Sequence, residues 1–236
     1  MATTNDRIAA PLREARRRHA RKALLACGPV SSLLYLLAID VVTPLAHPSY
    51  HAYGDQMVSE LMAADAPSRE LLLWLFVPYN VLVFGLACGV WMSSAAKRSG
   101  RVVATLLLAY GVMSIAGLLL FPMDLRGTVD STRDPLHIAA TGVMSLFIVA
   151  AMGAGAFMRR GAFRVYSIAT VATVMVFGAL AALLAGPMPG PTPWVGLAER
   201  VNIYASMVWF AALALVCWPD PHAASVQEGC DRAAAR

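Results

Sequence analysis

Asp134 to Arg160 reads DPLHIAATGVMSLFIVAAMGAGAFMRR, and this stretch decides the fold. Asp134 can cap a helix, Pro135 suits the first helical position, and the apolar run starts at once. From Leu136 to Met158 no Asp, Glu, Lys or Arg interrupts it, and an α-helix of that length crosses a hydrocarbon layer of about 30 Å. Working outward, five more stretches have the same character: Ala23 to Leu45, Leu71 to Ala95, Val102 to Phe121, Val165 to Ala185 and Leu197 to Trp218. The sequence therefore predicts an all-α membrane protein, a bundle of six transmembrane helices. Pro78 inside the second span is expected to kink it. Gly85, Gly89, Gly111, Gly117, Gly153, Gly155 and Gly178, with many alanines, predict close helix packing.

Composition agrees. Of 236 residues, 58% are hydrophobic and 14% charged, where a soluble domain has about 45–50% and about 25%. Segments that stay in the cytoplasm carry an excess of Lys and Arg. Arg7, Arg13, Arg16, Arg17, Arg18, Arg21 and Lys22 precede span one, Lys97, Arg98 and Arg101 lie between spans two and three, and Arg159, Arg160 and Arg164 lie between four and five. With Arg232 and Arg236 these make 15 basic residues on one side against Arg69, Arg126, Arg133 and Arg200 on the other. Both termini are predicted cytoplasmic: residues 1–22 form a basic tail, 23–218 the six-helix domain and 219–236 a second tail. The first tail reads as a topology signal that also touches lipid headgroups. Span one is longer than the apolar core of a signal peptide and reads as a retained anchor. Cys27, Cys88, Cys217 and Cys230 all fall towards the cytoplasm, where structural disulfides are not expected.

The opposite side carries nine of the fourteen acids, three of the five histidines and the longer connections, so function is expected to face outward. Asp55 to Ala63 reads as a short capped helix along the membrane surface, with Val58, Leu61 and Met62 as its apolar stripe. Ionisable groups within spans are costly and point to function: Asp40 near the outer end of span one, His137 one turn into span four, and Glu199 and Arg200 opening span six. Asn202 follows Glu199 on one face, and Asn80 beside Pro78 is a further buried polar group. The functional reading brings Asp40, Asn80, Asp124, His137, Glu199, Arg200 and Asn202 to one outward pocket. Asp124, His137 and Glu199 then form a candidate set for a divalent metal, with oxygen and imidazole donors suited to zinc or manganese. The structural reading pairs Asp40 with Arg200, bonds His137 to a loop, and leaves Asp124 and Glu199 terminating helices.

Other chemistries are poorly served. His47 and His51 are separated by Pro48, which opposes a shared helical face. No His lies deep in two spans, which disfavours a bis-histidine haem, and Lys22 and Lys97, both at a membrane edge, leave no residue for a retinal Schiff base. Hydrolase and nucleotide motifs are missing. Three readings remain: binding of a lipid or small amphipathic ligand in an outward polar pocket, a metal-dependent intramembrane hydrolase or transferase acting on lipid, and a proton-coupled transporter using Asp40. Membrane lipids are the implied contact; no protein partner is specified.

Ser59-Glu60-Leu61 after Gly54-Asp55, Phe121-Pro122-Met123-Asp124 closing span three, Asp134 and His137 opening span four, and Gly196-Leu197-Ala198-Glu199-Arg200-Val201 opening span six occur in an order that resembles the bacterial membrane family called domain of unknown function 998. The resemblance runs from span one to span six. It implies a six-helix integral protein of the bacterial cytoplasmic membrane and supplies no reaction. The formal charge of +5 separates into +10 inside and −5 outside, so it implies no nucleic-acid partner.

Overall fold

The computed structural model of the protein describes residues 4–47, 49–50, 54–93, 98–125, 132–185 and 192–219, residues 4–11 by backbone alone. All regular structure among them is helical: α1 (Thr4–Leu37), a π turn (Ala38–Val42), α2 (Thr43–Ala46), a 3₁₀ turn (Ser59–Met62), α3 (Arg69–Ser93), α4 (Arg98–Leu120), α5 (Arg133–Gly155), α6 (Ala162–Leu184) and α7 (Val195–Cys217). Six helical segments are long and apolar enough to cross a membrane, with mean hydropathies of 1.6 to 2.2; the first joins α1, the π turn and α2. They pack in chain order, α1 on α3, α3 on α4, and so on to α7, which closes the ring against α1. From that position α7 supplies the centre of the core. Trp209, Phe210 and Leu213 are fully buried, packed with Leu25, Leu86, Leu107 and Met152 from its neighbours. The opposite faces expose large apolar side chains such as Trp74, Leu183 and Val165, as expected where the solvent is lipid.

Small residues set the spacing, but not everywhere. A Cβ on Gly89 would lie 2.9 Å from the backbone nitrogen of Leu25, so α3 and α1 meet backbone to backbone there, and Gly155 leaves room for the Trp209 ring. Gly117 and Gly153 face open space instead. Helix α3 is continuous through Pro78. Cys27, Cys88 and Cys217 are free thiols.

Several boundaries differ from the sequence reading. α1 starts at Thr4 and carries the basic segment into the span as one continuous helix. Residues 220–236 lie outside the described residues. Asp134 is not the cap of α5: the helix already includes Arg133, its N-cap is Thr132, and the Asp134 carboxylate accepts the backbone N–H of Asp124 at 2.8 Å. The surface helix from Asp55 is a single 3₁₀ turn, Ser59–Met62, with no side-chain cap from its preceding residue. Its stripe does not lie in lipid, since Val58 and Leu61 are buried in the bundle core.

Candidate functional site

Asp40 sits at the centre of the π turn. A π turn holds one more residue than an α turn and is frequent at functional positions; Thr43 Oγ1 donates to the Ala38 carbonyl within it. Both oxygens of the Asp40 carboxylate are engaged by α7. Arg200 Nε donates to Oδ1 at 3.2 Å and Tyr204 Oη to Oδ2 at 2.6 Å. Gly196, Arg200 and Tyr204 are spaced by four residues and share one helical face, and Arg200 also donates to the Gly196 carbonyl at 3.4 Å. The guanidinium is fully buried, whereas the Asp40 side chain keeps 24% of its surface. A third arm comes from the connection after α2. Tyr50 Oη accepts from Arg200 at 3.2 Å and donates to the Met57 carbonyl at 3.0 Å, and the guanidinium lies 5.5 Å from its ring centroid. Burial pushes the Tyr50 phenol up to about 12, against the opposing pull of Arg200. It therefore holds the proton that it donates to Met57.

Glu199, one residue before Arg200, turns the other way. Its carboxylate accepts the backbone N–H of Val58, with Ser59 beside it. It thus supplies from α7 the acceptor that the start of the 3₁₀ turn lacks locally. Glu60 Oε1 takes the N–H of Met57 at 3.1 Å, the Gly196 N–H reaches the Gly54 carbonyl at 3.3 Å, and Thr192 Oγ1 donates to the Asp55 carbonyl at 3.0 Å. The segment from Gly54 to Ser68 is therefore laced to α7 by main-chain and carboxylate bonds.

At its other end the same segment joins a second polar cluster. The Ala64 N–H donates to the Met123 carbonyl at 2.8 Å. Arg69 donates to the carbonyls of Met62 at 2.5 Å and Leu118 at 3.4 Å. The buried Asp124 pairs with Arg133 at 3.1 Å. His137 Nδ1 bonds the Phe121 carbonyl at 2.8 Å; since a carbonyl only accepts, Nδ1 carries the proton and Nε2 can accept from Thr141 Oγ1, 3.5 Å away. Between these groups opens a cavity of about 270 Å³, lined by Ala64, Arg69, Arg133 and the apolar edge of Leu119, Leu120, Phe121, Pro122 and Leu136.

The predicted residues therefore separate into two clusters. Asp40, Arg200 and Glu199 belong to the α7 side, with Asp40 paired to Arg200, while Asp124 and His137 belong to the α4–α5 corner. The metal set Asp124, His137 and Glu199 is not assembled, for among the described residues no three His, Cys, Asp or Glu side chains are grouped to hold an ion. Asn202 packs against Gly178 at the α6–α7 contact. Asn80 is buried in α3, its amide nitrogen on the Phe76 carbonyl at 2.8 Å and its Oδ1 without a partner among the described residues. His51 lies outside the described residues. Tyr50, Tyr204, Arg69 and Arg133 were not expected as site residues. Tyr204 had a signal, its i+4 spacing from Arg200; Tyr50 had none, because a loop has no period.

Six membrane-length helices, joined at the acidic end by a laced connection with two polar clusters, define a multi-pass membrane protein. Over residues 29–216 the chain matches the family described as Protein of unknown function (DUF998), and it belongs to that family. No curated protein and no solved structure matches it.

Proposed function

We propose that the protein binds a lipid or small amphipathic ligand at its acidic end, which faces outward from the cytoplasmic membrane. The observation that carries this is the 270 Å³ cavity, which sets two guanidinium groups against a leucine-rich wall. Leu119, Leu120 and Leu136 are each more than half exposed, so the wall continues onto the lipid-facing surface. That is the chemistry of a headgroup with an anionic oxygen above an acyl chain. Arg133 is the better probe, because Arg69 also holds the Met62 and Leu118 carbonyls. Native mass spectrometry with phosphatidylglycerol is expected to show a bound lipid, weakened about tenfold or more in Arg133→Gln, as the loss of a charge-assisted bond implies. Binding unchanged in Arg133→Gln and in Leu120→Gln overturns the reading.

A second reading, proton-coupled transport, is favoured by one observation: an aspartate in a π turn within a span, held by a buried arginine. Proteoliposomes loaded with a pH-sensitive dye test it. Proton flux in the parent and its loss in Asp40→Asn are expected; equal rates in parent, variant and empty vesicles remove this reading.

A further inference from the structure

At the opposite, arginine-rich end lies a second cavity, largely open to the outside and about 710 Å³ in volume, between the start of α4 and the turn from α5 to α6. Arg98 and Ser99 line it from one side, and Phe157, Met158, Arg159 and Arg160 from the other. These positions are some sixty residues apart in the chain, so it is the α4–α5 pairing that brings the three arginines to one opening. No acidic residue occurs between Glu70 and Asp124, or between Asp134 and Glu199. The sequence from 71 to 123 and from 135 to 198 thus contains Lys97, Arg98, Arg101, Arg159, Arg160 and Arg164 without one carboxylate. Among the described residues none of the three lining arginines has an ion pair. The neighbouring arginines lie by aromatic rings, Arg101 at 6.0 Å from Trp91 and Arg164 at 5.7 Å from Phe157.

We infer that this cavity binds the phosphodiester headgroup of an anionic phospholipid. A topology signal needs only positive charge, wherever it lies along the turns; it does not need three arginines lining one opening. Guanidinium forks match phosphate oxygens in pairs, and the Ser99 hydroxyl adds a neutral donor. A lipid, rather than a soluble phosphate, fits the surroundings. Phe157 is 73% exposed, and the exposed Val102 and Val165 flank the arginines, so the opening lies where the apolar helix surface begins. Aromatic side chains and basic pockets at that level are the usual means of holding a lipid headgroup.

The test is native mass spectrometry of the full chain with dioleoylphosphatidylglycerol or dioleoylphosphatidylcholine, with inorganic phosphate as competitor. Selective retention of phosphatidylglycerol is expected, weakened about fivefold by Arg159→Gln or Arg160→Gln alone and about 100-fold when both are combined with Arg98→Gln. Arg133→Gln, at the other end, removes a different bound lipid and leaves this one in place, so the two sites fail independently. Should the triple variant not insert, the single variants decide, because each leaves most of the positive charge. Equal retention of both lipids, single variants within twofold of the parent, or displacement of the lipid by millimolar phosphate each overturn the inference.

Discussion

Asp40→Leu is expected to destabilise the folded bundle by about 3–5 kcal/mol, and to cost more than Arg200→Met although both break the same ion pair. The asymmetry follows from exposure. Arg200 has no exposed side-chain surface, and Asp40 is the carboxylate it pairs with among the described residues. Taking Asp40 away leaves a fully buried guanidinium, which cannot shed its charge, without the carboxylate of its ion pair. Taking Arg200 away leaves a carboxylate that keeps its bond from Tyr204 and about a quarter of its surface, so part of its solvation survives. The double variant Asp40→Leu with Arg200→Met removes both charges and is expected to recover much of the loss, since a buried pair is often no better than apolar residues of similar volume. Unfolding by SDS titration in mixed micelles measures all three. An Asp40→Leu protein as stable as the parent, or a double variant no better than Asp40→Leu, contradicts this account.

The pair also shows which parts of the structure were legible in the sequence. Six spans follow from run length alone, because backbone groups in hydrocarbon have no partner but their own helix. That Asp40 pairs with Arg200 and His137 bonds a loop were both open at the level of sequence, since charge cost and helical phase allow them equally with a shared pocket. What decides is the π turn at Ala38–Val42, which has no sequence signature, together with α7 closing the ring against α1. Asp134 was misread for a local reason. Asp-Pro before an apolar run is a sound capping signal, but a tertiary donor, the Asp124 N–H, claims the carboxylate. Val58 and Leu61 have the spacing of a surface helix, yet they enter the core because Glu199, 138 or more positions away in the chain, supplies the acceptor for that turn. Arg98, Arg159 and Arg160 were legible as a charge count, whereas their convergence depends on the pairing of α4 with α5.

Glu199→Ala is the second large effect expected, and it is local. The variant removes the acceptor of the Val58 N–H and the carboxylate beside Ser59. Each donor that finds no new partner costs about 1–3 kcal/mol. Val58 and Leu61 are buried, so water reaches these groups only if the 3₁₀ turn lifts out of the bundle. The cheaper outcome is therefore local opening of the segment from Gly54 to Ser68, with the spans intact. Hydrogen exchange is expected to accelerate at residues 57–62 and to stay unchanged in α3, α4 and the centre of α7. Glu199→Gln keeps one acceptor oxygen without the charge and is expected to fall between. Because Ala64 and Arg69 both line the 270 Å³ cavity, and Arg69 holds Met62 from the same segment, opening is also expected to loosen ligand binding there while sparing the arginine-lined cavity at the other end. Unchanged exchange at residues 57–62 in Glu199→Ala shows that the turn holds without α7 and removes the link between the two polar clusters.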